Sequence, residues 1–173
     1  MKQLLLIFVP IFILACASTP GNGTPITEPV TYSEIIEVSN ATKGELHTKI
    51  NMWFVDAFRN ADSVIQFNDK ESGIIKGKYT SVGIFVGSQA AGEYLTIYST
   101  ITVEIKDGRY KVSFADPSYR NTGNYFGGPN SYPTVYPERS VTTTDIASVV
   151  LDNWKKLANN LQRSISTVKS NDW

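Results

Sequence analysis

The chain has 173 residues, 42% of them hydrophobic, with 16 Lys and Arg against 16 Asp and Glu. That balance suits one domain with a leader, excludes global disorder, and lacks the overall basic field that drives non-specific nucleic-acid binding. One cysteine, Cys16, and one histidine, His47, exclude an internal disulfide, a cysteine zinc site and every multi-histidine metal centre. No metal, no cofactor and no nucleic-acid partner are therefore expected.

Lys2 precedes an apolar run over residues 4–14, LLLIFVPIFIL. The run is shorter than the roughly 20 residues a spanning helix needs, and Pro10 interrupts it. It reads as the core of a signal peptide over residues 1–15. The run ends in Ile13-Leu14-Ala15-Cys16, which resembles the lipobox of bacterial lipoproteins. The resemblance implies cleavage between Ala15 and Cys16, diacylglycerol on the Cys16 sulfur, and acylation of the new amino terminus. Leu14 is bulkier than the Ala or Ser usual at that position. The competing reading is an ordinary secreted protein cut near the same place. Each buried methylene contributes about 0.8 kcal/mol, so two or three acyl chains anchor where one does not. Ala17 is non-acidic, and no acidic cluster follows Cys16. The expected location is the outer membrane, facing the periplasm, with surface exposure as the alternative.

Residues 16–31 are rich in Pro, Gly, Ser and Thr without apolar periodicity, so they read as a lipidated cysteine followed by a flexible tether. The folded domain is expected over residues 32–170.

Residues 32–38 read as a first strand, with Ile36 and Val38 on one face and Ile35 and Glu37 on the other. Thr42 and Glu45 make a capping box that starts a helix. Leu46, Ile50, Trp53, Phe54, Ala57, Phe58 and Ala61 then recur at helical spacing, predicting one helix through Ala61. His47, beside that stripe, reads as a surface or boundary residue. A short strand over 64–69 leads into the polar turn NDKESG, and a longer strand covers 74–86, with Gly83 as a bulge or break. Residues 87–92 read as a loop.

The strand over 93–106 alternates most clearly. Leu95, Ile97, Ile101, Val103 and Ile105 share one face; Thr96, Tyr98, Thr100, Thr102 and Glu104 share the other. Asp107-Gly108 is a hairpin signal, and residues 109–115 return with Tyr110, Val112 and Phe114 inward. Residues 116–141, with four prolines and four tyrosines, read as one long loop. Thr144 caps a last helix running to about residue 169, carried by Ile146, Val149, Val150, Trp154, Leu157, Leu161 and Ile165.

The strand–helix–four strands–helix order, WFVDAF (53–58), VIQFNDKESGIIKGK (64–78) and TIYSTITVEIKDGRYKVSF (96–114) together resemble a family of unknown function with a TATA-box-binding-protein-like (TBP-like) fold. That family occurs in secreted and lipid-anchored proteins of Bacteroidetes. The resemblance covers residues 34–115 and implies an α+β fold of order β-α-β-β-β-β-α. It implies a curved antiparallel sheet with two helices on one face, and an envelope location. It implies no activity, and the fold's name implies no DNA binding.

Two candidate contact surfaces remain. Lys76, Lys78, Tyr98, Arg109 and Lys111 fall on the outer sheet face or its edges, where the competing reading is a solvated polar surface. Tyr119, Tyr125, Phe126, Tyr132 and Tyr136 punctuate the long loop, and would stack on a ligand or pack back onto the sheet. Glu93, Glu104 and Asp116 are the carboxylates that an acid/base pair would draw on. The leading expectation is a non-enzymatic binding or protein-interaction module in the cell envelope, with a protein or glycan partner. An envelope hydrolase acting on glycan or peptide, and a structural envelope component, are the alternatives.

Overall fold

The computed structural model describes residues 23–88, 91–124 and 136–167. Ala15, Cys16, Tyr125, Phe126 and Tyr132 lie outside the described residues. The elements run β1 (Tyr32–Glu37), α1 (Lys43–Ala57), α2 (Ala61–Val64), β2 (Ile65–Asp69), β3 (Ile74–Ser88), β4 (Ala91–Lys106), β5 (Arg109–Asn124), β6 (Arg139–Ser140) and α3 (Thr144–Thr167). All sheet pairings are antiparallel, in the order β1-β5-β4-β3-β2, with β6 beside β5.

The helices cover one face of this sheet. Leu46, Ile50, Trp53 and Phe54 of α1 and Val150, Trp154, Leu161 and Ile165 of α3 are buried against Ile97, Ile101, Val103 and Ile105 of β4. Each large apolar side chain removed from water this way stabilises by roughly 1.5–3 kcal/mol. A chain of rings ties the layers together: Phe58 to Tyr79 at 5.7 Å, Tyr79 to Phe114 at 6.1 Å and Phe114 to Trp154 at 5.7 Å. This α+β arrangement is the one expected, and β1 has the expected faces: Ile36 is buried and Ile35 exposed.

The expected capping box forms, with Thr42 Oγ1 accepting from Glu45 N at 3.2 Å and Thr42 N donating to Glu45 Oε2 at 2.8 Å. A contact distant in sequence reinforces it. Lys43 N donates to Asp107 Oδ1 at 2.6 Å, so the β4–β5 hairpin also satisfies the first turn of α1. Gly73, at φ +73°, closes the β2–β3 turn, and its carbonyl accepts from Ile105 N at 2.7 Å.

Five expectations need correction. The first helix does not reach Ala61. It stops at Ala57, Phe58 turns extended, and Asn60 caps the separate turn of α2, its Oδ1 accepting from Ser63 N at 3.3 Å. An Asn side chain that bonds its own backbone competes with helix continuation. Residues 87–92 are not a free loop, because β3 and β4 pair out to Ser88 and Ala91. Residues 116–141 are not one loop, because β5 continues to Asn124 and Arg139–Ser140 pair back onto it. The Asp116-Pro117 step, which reads as a strand end, is a bulge. Ala115 pairs with Thr100 and Ser118 with Tyr98, while Asp116 takes φ +51°. A proline is tolerated in a strand at such a point, where no ladder donor is needed. Thr144 is the first residue of α3 rather than its cap.

His47, expected at the surface or the boundary, takes the boundary place: it is 8% exposed and lines a groove with Asn51 and Asn68. Its Nδ1 lies 3.2 Å from Asn51 Nδ2, and Asn51 Oδ1 accepts from Asn68 Nδ2 at 2.6 Å. The histidine thus begins a polar link from α1 to β2.

Candidate functional site

The strand register decides which side chains share the helix-free face. Along β4, Glu104 lies between Ile74 and Lys111, Thr102 between Lys76 and Ser113, and Thr100 between Lys78 and Ala115. Tyr98 lies between Thr80 and Ser118, and Thr96 opposite Arg120. Lys76, Lys78, Tyr98 and Lys111 are therefore brought onto one face, as expected. Thr96 and Thr100 are buried there, because they are short side chains on the central strand between two neighbours.

The cations on this face are not equivalent. Lys111 Nζ lies 3.3 Å from Glu104, and Arg109 lies 3.9 Å from Glu37, both pairs largely exposed. Such pairs contribute about 0–1 kcal/mol each and cancel much of each other's field. Among the described residues, Lys76, Lys78 and Arg120 have no carboxylate within ion-pair distance. The Arg120 guanidinium sits 5.9 Å from the centre of the Tyr98 ring, a cation–π placement that holds the cation on the sheet. Its Nε is buried without a hydrogen-bond partner. Ser118 donates to Glu138 next to this row.

Sequence reasoning missed Arg120, because it lay beyond Asp116 in a stretch read as loop. The available signal was the alternation resuming after Pro117, with Ser118 and Arg120 on one side and Tyr119 and Asn121 on the other. Tyr119 needs the opposite correction. It pairs with buried Ile97 and packs against the core, so it is no part of the outer surface. Tyr136 is half-buried just ahead of β6.

The three carboxylates considered for acid/base work are dispersed. Glu93 and Glu104 stand at opposite ends of β4, roughly 35 Å apart at the strand rise of about 3.3 Å per residue. Glu93 accepts from Asn121 Nδ2 at 2.6 Å, and Asp116 sits in the mid-strand bulge. Paired glycosidase carboxylates need separations below about 10 Å, so these residues do not form such a pair. Burial pushes the Tyr79 and Tyr110 hydroxyls up, and burial with the neighbouring Glu34 carboxylate pushes Tyr32 to about 12. These phenols stay neutral and serve the fold. Among the described residues, no group of three or more His, Cys, Asp or Glu is placed to hold a metal. None of the described helices is long and apolar enough to cross a membrane.

Residues 32–120, more than half of the chain, match the family described as a domain of unknown function (DUF4468) with TBP-like fold. The chain belongs to the DUF4468 family. Solved structures agree with the DUF4468 fold. A TBP-like protein from Parabacteroides distasonis is similar with a TM-score of 0.60 at 14% identity, covering 82% of this chain and 95% of that one. A DUF4468 family protein from Bacteroides ovatus is similar with a TM-score of 0.60 at 14% identity, covering 88% and 95%. At that identity the likeness concerns the fold alone. No curated protein matches the chain.

Proposed function

We propose that this DUF4468 protein is a lipid-anchored component of the cell envelope that binds an anionic partner, protein or glycan, through its helix-free sheet face, without catalysis. The observation that carries the reading is the co-location of Lys76, Lys78 and the Arg120–Tyr98 stack on one open surface. Unpaired cations on a rigid sheet, next to Thr and Tyr hydroxyls, suit recognition of carboxylate, phosphate or sulfate groups. The Ile13-Leu14-Ala15-Cys16 sequence and the Pro- and Gly-rich stretch after it support anchorage through Cys16, at the outer membrane facing the periplasm.

Cross-linking in intact cells tests the binding claim. The native protein should give a discrete adduct, and a Lys76→Glu/Lys78→Glu/Arg120→Glu variant at equal membrane level should lose it. An adduct of undiminished yield in the variant would remove this face from the function. Anchorage has its own test: Cys16→Ala should abolish fatty-acid labelling and membrane retention, and continued labelling overturns it.

A further inference from the structure

The expected tether joins the domain at a defined point. Ile26 N donates to Thr142 O at 3.0 Å and Thr144 N donates to Thr24 O at 2.9 Å, with Pro25 bridged to Thr143 between them. The Asp145 carboxylate accepts from the Gly23 N–H. Gly23 is thereby fixed at the first turn of α3. It walls a groove of about 530 Å³ together with Phe85 and Val86 of β3 and Ile146 and Val149 of α3. Cys16 stands seven residues before Gly23, a reach of at most about 25 Å at full extension. A membrane that holds Cys16 therefore lies close to this end of the sheet.

That end is apolar. From Ser81 to Gly92 the sequence has no Lys, Arg, Asp or Glu. β2 pairs only with Ile74–Gly77, so among the described residues β3 beyond Gly77 has a strand neighbour on the β4 side alone. Val82, on this stretch, is 73% exposed. Phe85, 40% exposed, pairs with Tyr94 of β4, and the two exposed rings meet edge-on with centres 5.4 Å apart. The carboxylates at this end are already engaged: Asp145 by Thr143, Ile146 and Gly23, and Glu93 by Asn121.

We infer that this end of the domain docks on the bilayer surface, with Val82, Phe85 and Tyr94 in the interfacial layer beside the anchor. The inference rests on the anchorage of Cys16 proposed above. An apolar patch next to a lipid anchor is a second membrane signal, and it binds at the high effective concentration that a short tether sets. A tyrosine, with an apolar body and a polar tip, suits the headgroup layer. Docking is shallow, because the unpaired backbone groups along the β3 edge need water or headgroup partners that the hydrocarbon lacks. The three residues carry no charge, so the contact is made through apolar area and zwitterionic lipid suffices. Lys76 stands nine residues from Phe85 along β3, roughly 30 Å at about 3.3 Å per residue, so Lys76 on the helix-free face stays free for a partner.

The test is hydroxyl-radical footprinting read by mass spectrometry. The chain from Cys16 onward is coupled through its thiol to a maleimide lipid in vesicles of saturated phosphatidylcholine. The same chain with its thiol capped is footprinted in solution. Chemical coupling makes the result independent of whether cells acylate Cys16, which the fatty-acid labelling above decides separately. Oxidation of Phe85 and Tyr94 should fall several-fold on the vesicles, while Met52 and Phe67, exposed elsewhere on the domain, oxidise as in solution. Val82→Asp/Phe85→Asp should return Tyr94 to its solution rate. The inference is overturned by equal oxidation of Phe85 and Tyr94 in both settings, by protection that extends equally to Met52 and Phe67, or by protection of Tyr94 that survives in the double variant.

Discussion

Trp154 Nε1 donates to Ser99 Oγ over 2.9 Å in the buried layer between α3 and β4. Ser99 is the one polar residue among the inward positions of β4 from Leu95 to Ile105, and it stands where the largest ring of α3 needs an acceptor. Ser99→Ala keeps the backbone and removes the acceptor, leaving a buried indole N–H unpaired. The expected loss is about 1–3 kcal/mol. Urea denaturation of the variant measures it, and a midpoint matching the native protein contradicts the assignment.

Gly73 is the second sensitive point. A Cβ there would lie 2.5 Å from the Ile105 carbonyl oxygen, on backbone that already accommodates φ +73°. The left-handed conformation alone costs a non-glycine residue about 1–2 kcal/mol, and the contact adds to it. Gly73→Ala should lower the melting temperature, whereas Gly108→Ala, also at positive φ but with nothing near its Cβ, should lower it less.

Acid should weaken the fold in a defined window. The Thr42 backbone N–H holds Glu45 below its ordinary value of 4.5, the Ser72 side chain holds Asp69 below 3.8, and the Thr143 side chain holds Asp145 below 3.8. Depressed carboxyls bind fewer protons folded than unfolded, so stability rises with pH through this range. Their contribution is present above those ordinary values and is lost as pH falls through the lower, folded ones. Glu45 and Asp145 are exposed and Asp69 is half-buried, so the effect is modest and is screened by salt. Urea midpoints measured from about pH 6 down to about pH 2 should fall, and less steeply for Asp69→Asn. A flat profile is the contrary result.

Tyr98 should matter for binding more than for stability. Its ring supports the Arg120 guanidinium from the solvent side of the sheet. Loss of an exposed cation–π contact costs about 0.5–1 kcal/mol. Tyr98→Leu should therefore remain folded by circular dichroism while losing the cross-linked adduct. Native adduct yield in Tyr98→Leu argues that Arg120 needs no support there.

Much of the fold was legible in the sequence because local rules and burial agree. The Thr42–Glu45 box, the period-two pattern of residues 93–106, the Asp107-Gly108 hairpin and the apolar stripe of the last helix each act within a few residues. Together they determined the α+β class, the helix-bearing face of the sheet and the outward direction of Lys76, Lys78 and Tyr98. The tertiary structure decided what depends on pairing across the chain. A bulge at Asp116-Pro117 carried β5 on to Arg120, and only the register with β4 set Arg120 on Tyr98 and turned Tyr119 inward. Salt-bridge partners, too, come from neighbouring strands, so Lys111 and Arg109 were neutralised while Lys76 and Lys78 were not. The open edge of β3 exists because β2 is short, a property of the partner strand that no residue of β3 encodes.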